Sequence, residues 1–148
     1  MGVLPLVALL AAGAQPIDDP ATIDLCELVP GVEVAKLFGK ALKEARPFSS
    51  KGALSRCIYA VSDPGSADTA AGYSLWLYPP GKYDEYLKTT EGIVEMPSDL
   101  GDRAVLFRDK DLSRLRLVVR PRFTLEAVAP DGESAKKLAR LGLAKLSP

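Results

Sequence analysis

The chain has no histidine. That removes the side chain that titrates nearest neutral pH and the commonest neutral metal ligand. Ser-His-Asp and Cys-His nucleophilic chemistry go with it. Cysteine is nearly absent too, with Cys26 and Cys57 as the only pair, and two sulfurs without histidine make a poor zinc site. One tryptophan and five tyrosines in 148 residues are no aromatic enrichment. Gly31, Gly39 and Gly52 are scattered, and no glycines take phosphate-loop or dinucleotide spacing after a strand. An excess of one charge is also missing. Lys+Arg and Asp+Glu stand at 19 each, so no overall field draws the chain to nucleic acid or an anionic membrane. No apolar run reaches the roughly 20 residues that a membrane-crossing helix needs, so no stable membrane span is expected.

An uncharged apolar run, Val3 to Ala12, opens the chain and leads into Ala12-Gly13-Ala14. Its length and small-residue end match a secretory signal peptide, although no Lys or Arg precedes it. Residues 1–14 are therefore expected to be a signal peptide, against the plainer reading of a frayed or buried N-terminal segment. Residues 15–25, with Pro16, Pro20 and acidic Asp18, Asp19 and Asp24, read as an extended tether. Residues 26–148 form one domain. Two cysteines behind an export leader read as one disulfide, Cys26–Cys57, formed in an oxidising compartment. Location is then periplasmic or extracellular.

Periodicity predicts the elements. Val34, Leu37, Phe38, Ala41 and Leu42 fall on one helical face, with Gly39 able to end that helix early and leave Lys40 to Ala45 as an irregular exit. Arg46-Pro47 to Lys51-Gly52 reads as a loop. Ser55 to Val61 and Tyr73 to Tyr78 alternate as strands. In the first, Cys57, Tyr59 and Val61 share a face; in the second, Tyr73, Leu75 and Leu77 oppose Ser74, Trp76 and Tyr78. A short helix carries Tyr83, Tyr86 and Leu87. Strands are expected at about Arg103 to Arg108, Arg114 to Arg120 and Phe123 to Ala129. Asp131 caps a last helix, Glu133 to Leu146, which turns Ala135, Leu138, Ala139 and Leu146 inward. The order α-β-β-α-β-β-β-α describes an α+β domain, a mainly antiparallel sheet packed with helices.

Cys26-Glu27-Leu28-Val29, then Glu33-Val34 and Leu37-Phe38-Gly39, Cys57-Ile58-Tyr59 and Gly101-Asp102-Arg103-Ala104, with the closing helix, stand in an order similar to that of a known family. The chain resembles the small exported, often lipid-anchored bacterial proteins of unknown function with a paired cysteine and a PsbP-like fold. The resemblance spans most of residues 26–146. It implies a non-catalytic envelope protein with a disulfide near its first helix, and no substrate or cofactor. Two departures stand out. Pro30-Gly31-Val32-Glu33-Val34 occupies the place of a Thr-Pro-x-Glu-Val helix start and has no capping hydroxyl, and no lipid-attachment cysteine is present.

Carboxylate pairs are the remaining route to acid–base work. Asp84/Glu85 are adjacent on a helix and do not face one another, and Asp109/Asp111 flank a turn that favours Asp for local bonding. Asp18, Asp19 and Asp24 lack calcium-loop spacing. Trp76 and Tyr78 share a strand face and are a candidate ligand platform, with core packing the plainer reading. Basic residues concentrate late: residues 101–148 hold 11 basic and 6 acidic side chains. Arg114, Arg116 and Arg120, with Arg122 beyond the turn, are a candidate strip for an anion or partner, since guanidinium forks match carboxylates and phosphates. A solvated sheet face, or neutralisation by Asp109, Asp111 and Glu126, is the plainer reading.

The function these residues support is a non-catalytic binding or interaction module of the cell envelope. Its expected partner is an envelope protein or anionic polymer, not nucleic acid, and no cofactor is implied. The alternative is a small carrier of an apolar or sugar ligand, and an enzyme of unrecognised type is third. N-terminal sequencing of exported protein is expected to begin at or near Gln15. Intact Met1 on protein held in the cytoplasm would overturn the leader and weaken the disulfide argument.

Overall fold

Asp24 caps the first described helix. Its Oδ1 accepts from the backbone N–H of Cys26 at 2.9 Å and of Glu27 at 3.1 Å, a side-chain cap that satisfies otherwise unpaired donors of a first helical turn. The computed structural model describes residues 22–50, 54–63, 70–87, 92–101, 103–119 and 123–146. The expected leader and most of the tether lie outside them.

The cap starts α1, Leu25–Leu28, and α2 comes next at Gly31–Leu37. α2 ends because Gly39 takes φ +62°, a left-handed conformation that costs glycine least. The N–H groups of Gly39 and Lys40 donate to the carbonyls of Lys36 and Ala35, the paired bonds of a Schellman end. The helix face expected to run through Leu42 is thus cut short. The stretch beyond Lys40 is no irregular exit or loop: Ala41–Ser50 is a strand, β1. Its sequence conceals it because Lys43-Glu44-Ala45-Arg46-Pro47 has neither alternation nor strand-forming residues, and a register irregularity lies between Leu42 and Glu44. Pro47, which lacks a donor, is tolerated because β1 is an edge strand.

The remaining elements are β2 (Leu54–Ser62), β3 (Ala70–Tyr78), α3 (Lys82–Leu87), β4 (Ile93–Glu95), β5 (Ala104–Asp109), β6 (Leu112–Val119), β7 (Phe123–Ala129) and α4 (Gly132–Leu146). The α+β class stands, but α1, β1 and β4 lengthen the expected order to α-α-β-β-β-α-β-β-β-β-α. β4 has three residues, too few for a pattern. The strands form one seven-stranded sheet in the order β1-β2-β3-β7-β6-β5-β4, with each neighbouring pair antiparallel. Gly101 turns the chain into β5 at φ +58°. A Cβ there would lie 2.7 Å from the Val118 carbonyl oxygen, so no larger residue fits.

Strand alternation sorts the two faces. Cys57, Tyr59 and Val61 of β2, Leu75 and Leu77 of β3, Leu125 and Ala127 of β7 and Leu115 and Leu117 of β6 point to one side and are buried. α1, α2 and α4 cover that side, supplying Leu25, Val29, Val34, Ala135, Leu138 and Ala139 to the same core. α4 begins as expected at Asp131, whose Oδ1 accepts from the Ser134 N–H at 2.8 Å. Its Gly142 lies so close to Leu75 and Leu125 that an added Cβ would touch both. α3 sits on the opposite side, where the Tyr83 N–H donates to Thr124 Oγ1 at 3.2 Å.

Two links fasten α1 and the turn after it to β2. Cys26 and Cys57 are bridged, their Cα atoms 5.2 Å apart. The Tyr59 hydroxyl donates to the Val29 carbonyl at 2.8 Å, and burial, with the charges of Asp24 and Glu33, holds that phenol above its ordinary pKa. The bridge closes a sequence separation of 31, for which loop entropy gives about 3–4 kcal/mol of stabilisation. Cys26→Ser with Cys57→Ser is expected to lower the unfolding free energy by that order in a urea titration. An unchanged midpoint would show that α1 docks without it.

Candidate functional site

The other sheet face carries the even-numbered residues of β2, β3, β6 and β7, and no described helix crosses its centre. Strand register lines up one row across it: Phe48 of β1 opposite Arg56, Arg56 opposite Trp76, Trp76 opposite Glu126, and Glu126 opposite Arg116. A second row runs Arg46, Ile58, Ser74, Val128 and Arg114. Charged and aromatic side chains therefore meet at cross-strand spacing, close enough to interact directly.

Glu126 is fully buried. An isolated carboxylate there would be prohibitively desolvated; two guanidiniums answer it. Arg114 Nη1 donates to Oε1 at 2.7 Å and Arg116 Nε donates to Oε2. Arg114 Nε also donates to Asp109 at 3.1 Å. Burial opposes the Arg114 charge, and its bonds to Glu126 and Asp109 more than offset that, so the guanidinium is held above its ordinary pKa. Arg116 is itself buried, its guanidinium 4.6 Å from the centre of the Phe107 ring. Arg114 and Arg116 do share a face, as expected. They form neither an open anion strip nor a solvated face: their charges meet Glu126 and Asp109 across the strands. Arg120 and Arg122 lie outside the described residues.

Arg56 differs. Its guanidinium carbon lies 4.9 Å from the Phe48 ring centre and 4.3 Å from that of Trp76, within cation–π range on both sides. Its Nε is sealed from solvent without an acceptor. Arg46 pairs with Glu44 at 3.3 Å, and Arg114 and Arg116 pair with Glu126. Among the described residues, Arg56 is the one arginine of these two rows with no carboxylate.

Trp76 and Tyr78 stand together as expected, their rings 6.2 Å apart and 15° from parallel. They are half-buried on the face away from the three packing helices, so they fill no part of the main core. The indole N–H donates to Ser74 Oγ at 2.8 Å. Beside Trp76 lies a shallow pocket of about 230 Å³, lined by Ile58, Gly72, Ser74, Leu112, Arg114 and Val128. A second, of about 340 Å³, lies between Ile23 and Asp24 and the Phe48 end of β1.

Nothing in the sequence singles out Phe48 or Arg56. Phe48 sits in the stretch that reads as a loop, and Arg56, at the start of a strand, shows nothing of the rings that flank it. The Arg56/Ile58 alternation is the available signal. Of the carboxylate pairs, Asp84 ion-pairs with Arg103 at 3.0 Å and Asp109 with Arg114, while the Glu85 side chain lies outside the described residues. Among the described residues no three Asp, Glu or Cys side chains gather as a metal site would need. Comparison with protein-family models, curated proteins and solved structures returned no match.

Glu126→Ala leaves two guanidiniums facing a gap, and losing one side of a buried ion pair costs about 3–5 kcal/mol. Urea unfolding is expected to show a loss of that size. Arg46→Ala, which breaks only an exposed pair, should stay within about 0.5 kcal/mol. Equal losses for the two variants would mean that the buried cluster contributes nothing special.

Proposed function

We propose that this chain is a non-catalytic binding module of the cell envelope and that it recognises its partner with the sheet face around Phe48, Arg56 and Trp76. One observation carries the reading: a guanidinium flanked by two rings and with no carboxylate among the described residues, on the sheet face whose centre no described helix crosses. Phe48 is 47% exposed, so part of this aromatic row faces water. Exposed aromatic side chains beside an arginine have the composition of recognition hot spots. Two carboxylates of this face, Glu126 and Asp109, are held by arginines, which favours binding over acid–base chemistry.

Export is supported by the Cys26–Cys57 bridge, since disulfides persist mainly in oxidising compartments. No helix of the described residues is long and apolar enough to cross a membrane. Membership of the PsbP-like exported family, which the cysteine and glycine motifs suggest, points to the same compartment and is part of the proposal. The second reading, a small carrier, is favoured by the pocket beside Trp76.

Trp76 is the sole tryptophan, so intrinsic fluorescence reports on this face alone. Titration with polygalacturonate, polyglutamate and a set of alkyl and aryl ligands is expected to give a saturable change with at least one. Arg56→Ala and Phe48→Ala should weaken that ligand about tenfold, the scale of losing a charge-assisted contact, while Lys137→Ala on exposed α4 should leave it unchanged. A ligand indifferent to both face variants would place recognition elsewhere and sink the reading.

A further inference from the structure

We infer that the open face holds a small monocarboxylate with an apolar body, its carboxylate on Arg56 and its body in the pocket beside Trp76. This rests on the open-face reading and narrows it to a ligand class.

The stack defines how Arg56 can be met. Phe48 and Trp76, on the strands either side of β2, flank the guanidinium at 4.9 and 4.3 Å, and its N–H donors lie in its own plane. Its Nε is sealed from solvent without an acceptor, so a ligand must be met by the terminal Nη groups. A planar fork of N–H donors fits a carboxylate in that plane. The rings also hold the fork in place, so less rotamer freedom is lost when an oxyanion arrives.

Charge selects a monoanion. Arg46 has Glu44, Arg114 and Arg116 have Glu126, and Arg114 has Asp109 as well. Among the described residues one positive charge is uncompensated in the two rows, and it is that of Arg56. A phosphate dianion would find one guanidinium where two charges need neutralising. A cationic ligand would meet ring faces already occupied by a cation. A sugar ring seeking Trp76 finds the indole face covered by Arg56 at 4.3 Å.

The pocket supplies the rest of the ligand. Ile58 lies two residues beyond Arg56 on the same strand face, about 7 Å along β2. Ile58, Leu112 and Val128 give the cavity aliphatic walls. Its volume of about 230 Å³ falls below the roughly 300–1,000 Å³ of sites for drug-sized ligands. A short alkyl chain or a single ring suits it. Arg114 closes the far end with its charge already met by Glu126 and Asp109, so a carboxylate gains more at Arg56.

The test uses the oxidised full chain and the fluorescence of Trp76. Octanoate is expected to bind saturably. Octanol, with the body and no charge, should bind at least about tenfold more weakly, the scale of a charge-assisted hydrogen bond, and acetate, with the charge and no body, at least about tenfold more weakly through lost apolar burial. Arg56→Ala should reduce octanoate to the level of octanol, and Arg56→Lys should recover only part, since the charge returns without the planar fork. Ile58→Phe should weaken octanoate and octanol together. An octanoate-induced shift of the Arg56 Nε–H resonance in the unaltered chain would support the contact without any variant. Octanoate binding that ignores Arg56→Ala, or octanol binding equal to octanoate, would overturn the inference. If octanoate fails while polygalacturonate or polyglutamate still binds in an Arg56-dependent way, the ligand class is wrong and the open-face reading survives. If no probe depends on Arg56, both fall.

Discussion

The pairing of β3 with β7 is the constraint on which the rest of the structure depends. β1-β2-β3 is one antiparallel meander and β4 to β7 is another, each made from strands adjacent in sequence. Only the register Ser74–Tyr78 against Thr124–Val128 joins them. That contact spans about fifty residues of chain, and its closure entropy is met by burying apolar surface on both sides of the seam. Leu75 and Leu77 meet Ala127 and Leu125 across it, and α4 lies over the join, with Gly142 against both leucines of the Leu75/Leu125 contact. A slip of one residue would turn every one of these side chains to the other face.

The same register creates the chemistry on the side opposite α1, α2 and α4. It sets Trp76 beside Glu126, and so places the aromatic–arginine stack of the N-terminal meander next to the ion-pair cluster of the C-terminal one. The two halves of the row behave differently. The Glu126 cluster is internally neutral and centred on a buried carboxylate, and such networks tie strands together through bonds that are costly to leave unmade. Arg56 is positioned by dispersion and cation–π attraction, which satisfy none of its N–H donors. A charge fixed in place with donors unmet is ready for a ligand; one bonded on two sides is not. That contrast, more than the number of arginines, separates scaffold from candidate site.

The disulfide and the Tyr59–Val29 bond act on the opposite face. They hold α1 and the turn after it against β2, and β2 is also the strand that presents Arg56 and Ile58. Fixing the covered face of β2 keeps its exposed face in register with β1, a strand whose own sequence is a weak strand former. A site on a strand backed by a covalent link is held more rigidly than one on a loop.

Much of the scaffold is legible in the residues alone. Cys57, Tyr59 and Val61 share a buried face, Leu75 and Leu77 oppose Trp76 and Tyr78, Asp131 caps the last helix, and Cys26 meets Cys57. Each obeys a local rule: strand alternation, a capping oxygen, or an even cysteine count. β1 is not legible, because an edge strand has one paired side and an exposed outer edge, so Lys43, Glu44 and Pro47 are tolerated there without any periodic signature. The charge pattern alone points to Arg114 and Arg116, since sequence counts charges and cannot show which are already paired. Their pairing with Glu126, and the placement of Arg56 between Phe48 and Trp76, depend on which strands become neighbours. Neighbourhood across a sheet is set by chain closure and core packing over long separations, and only the tertiary structure decides it.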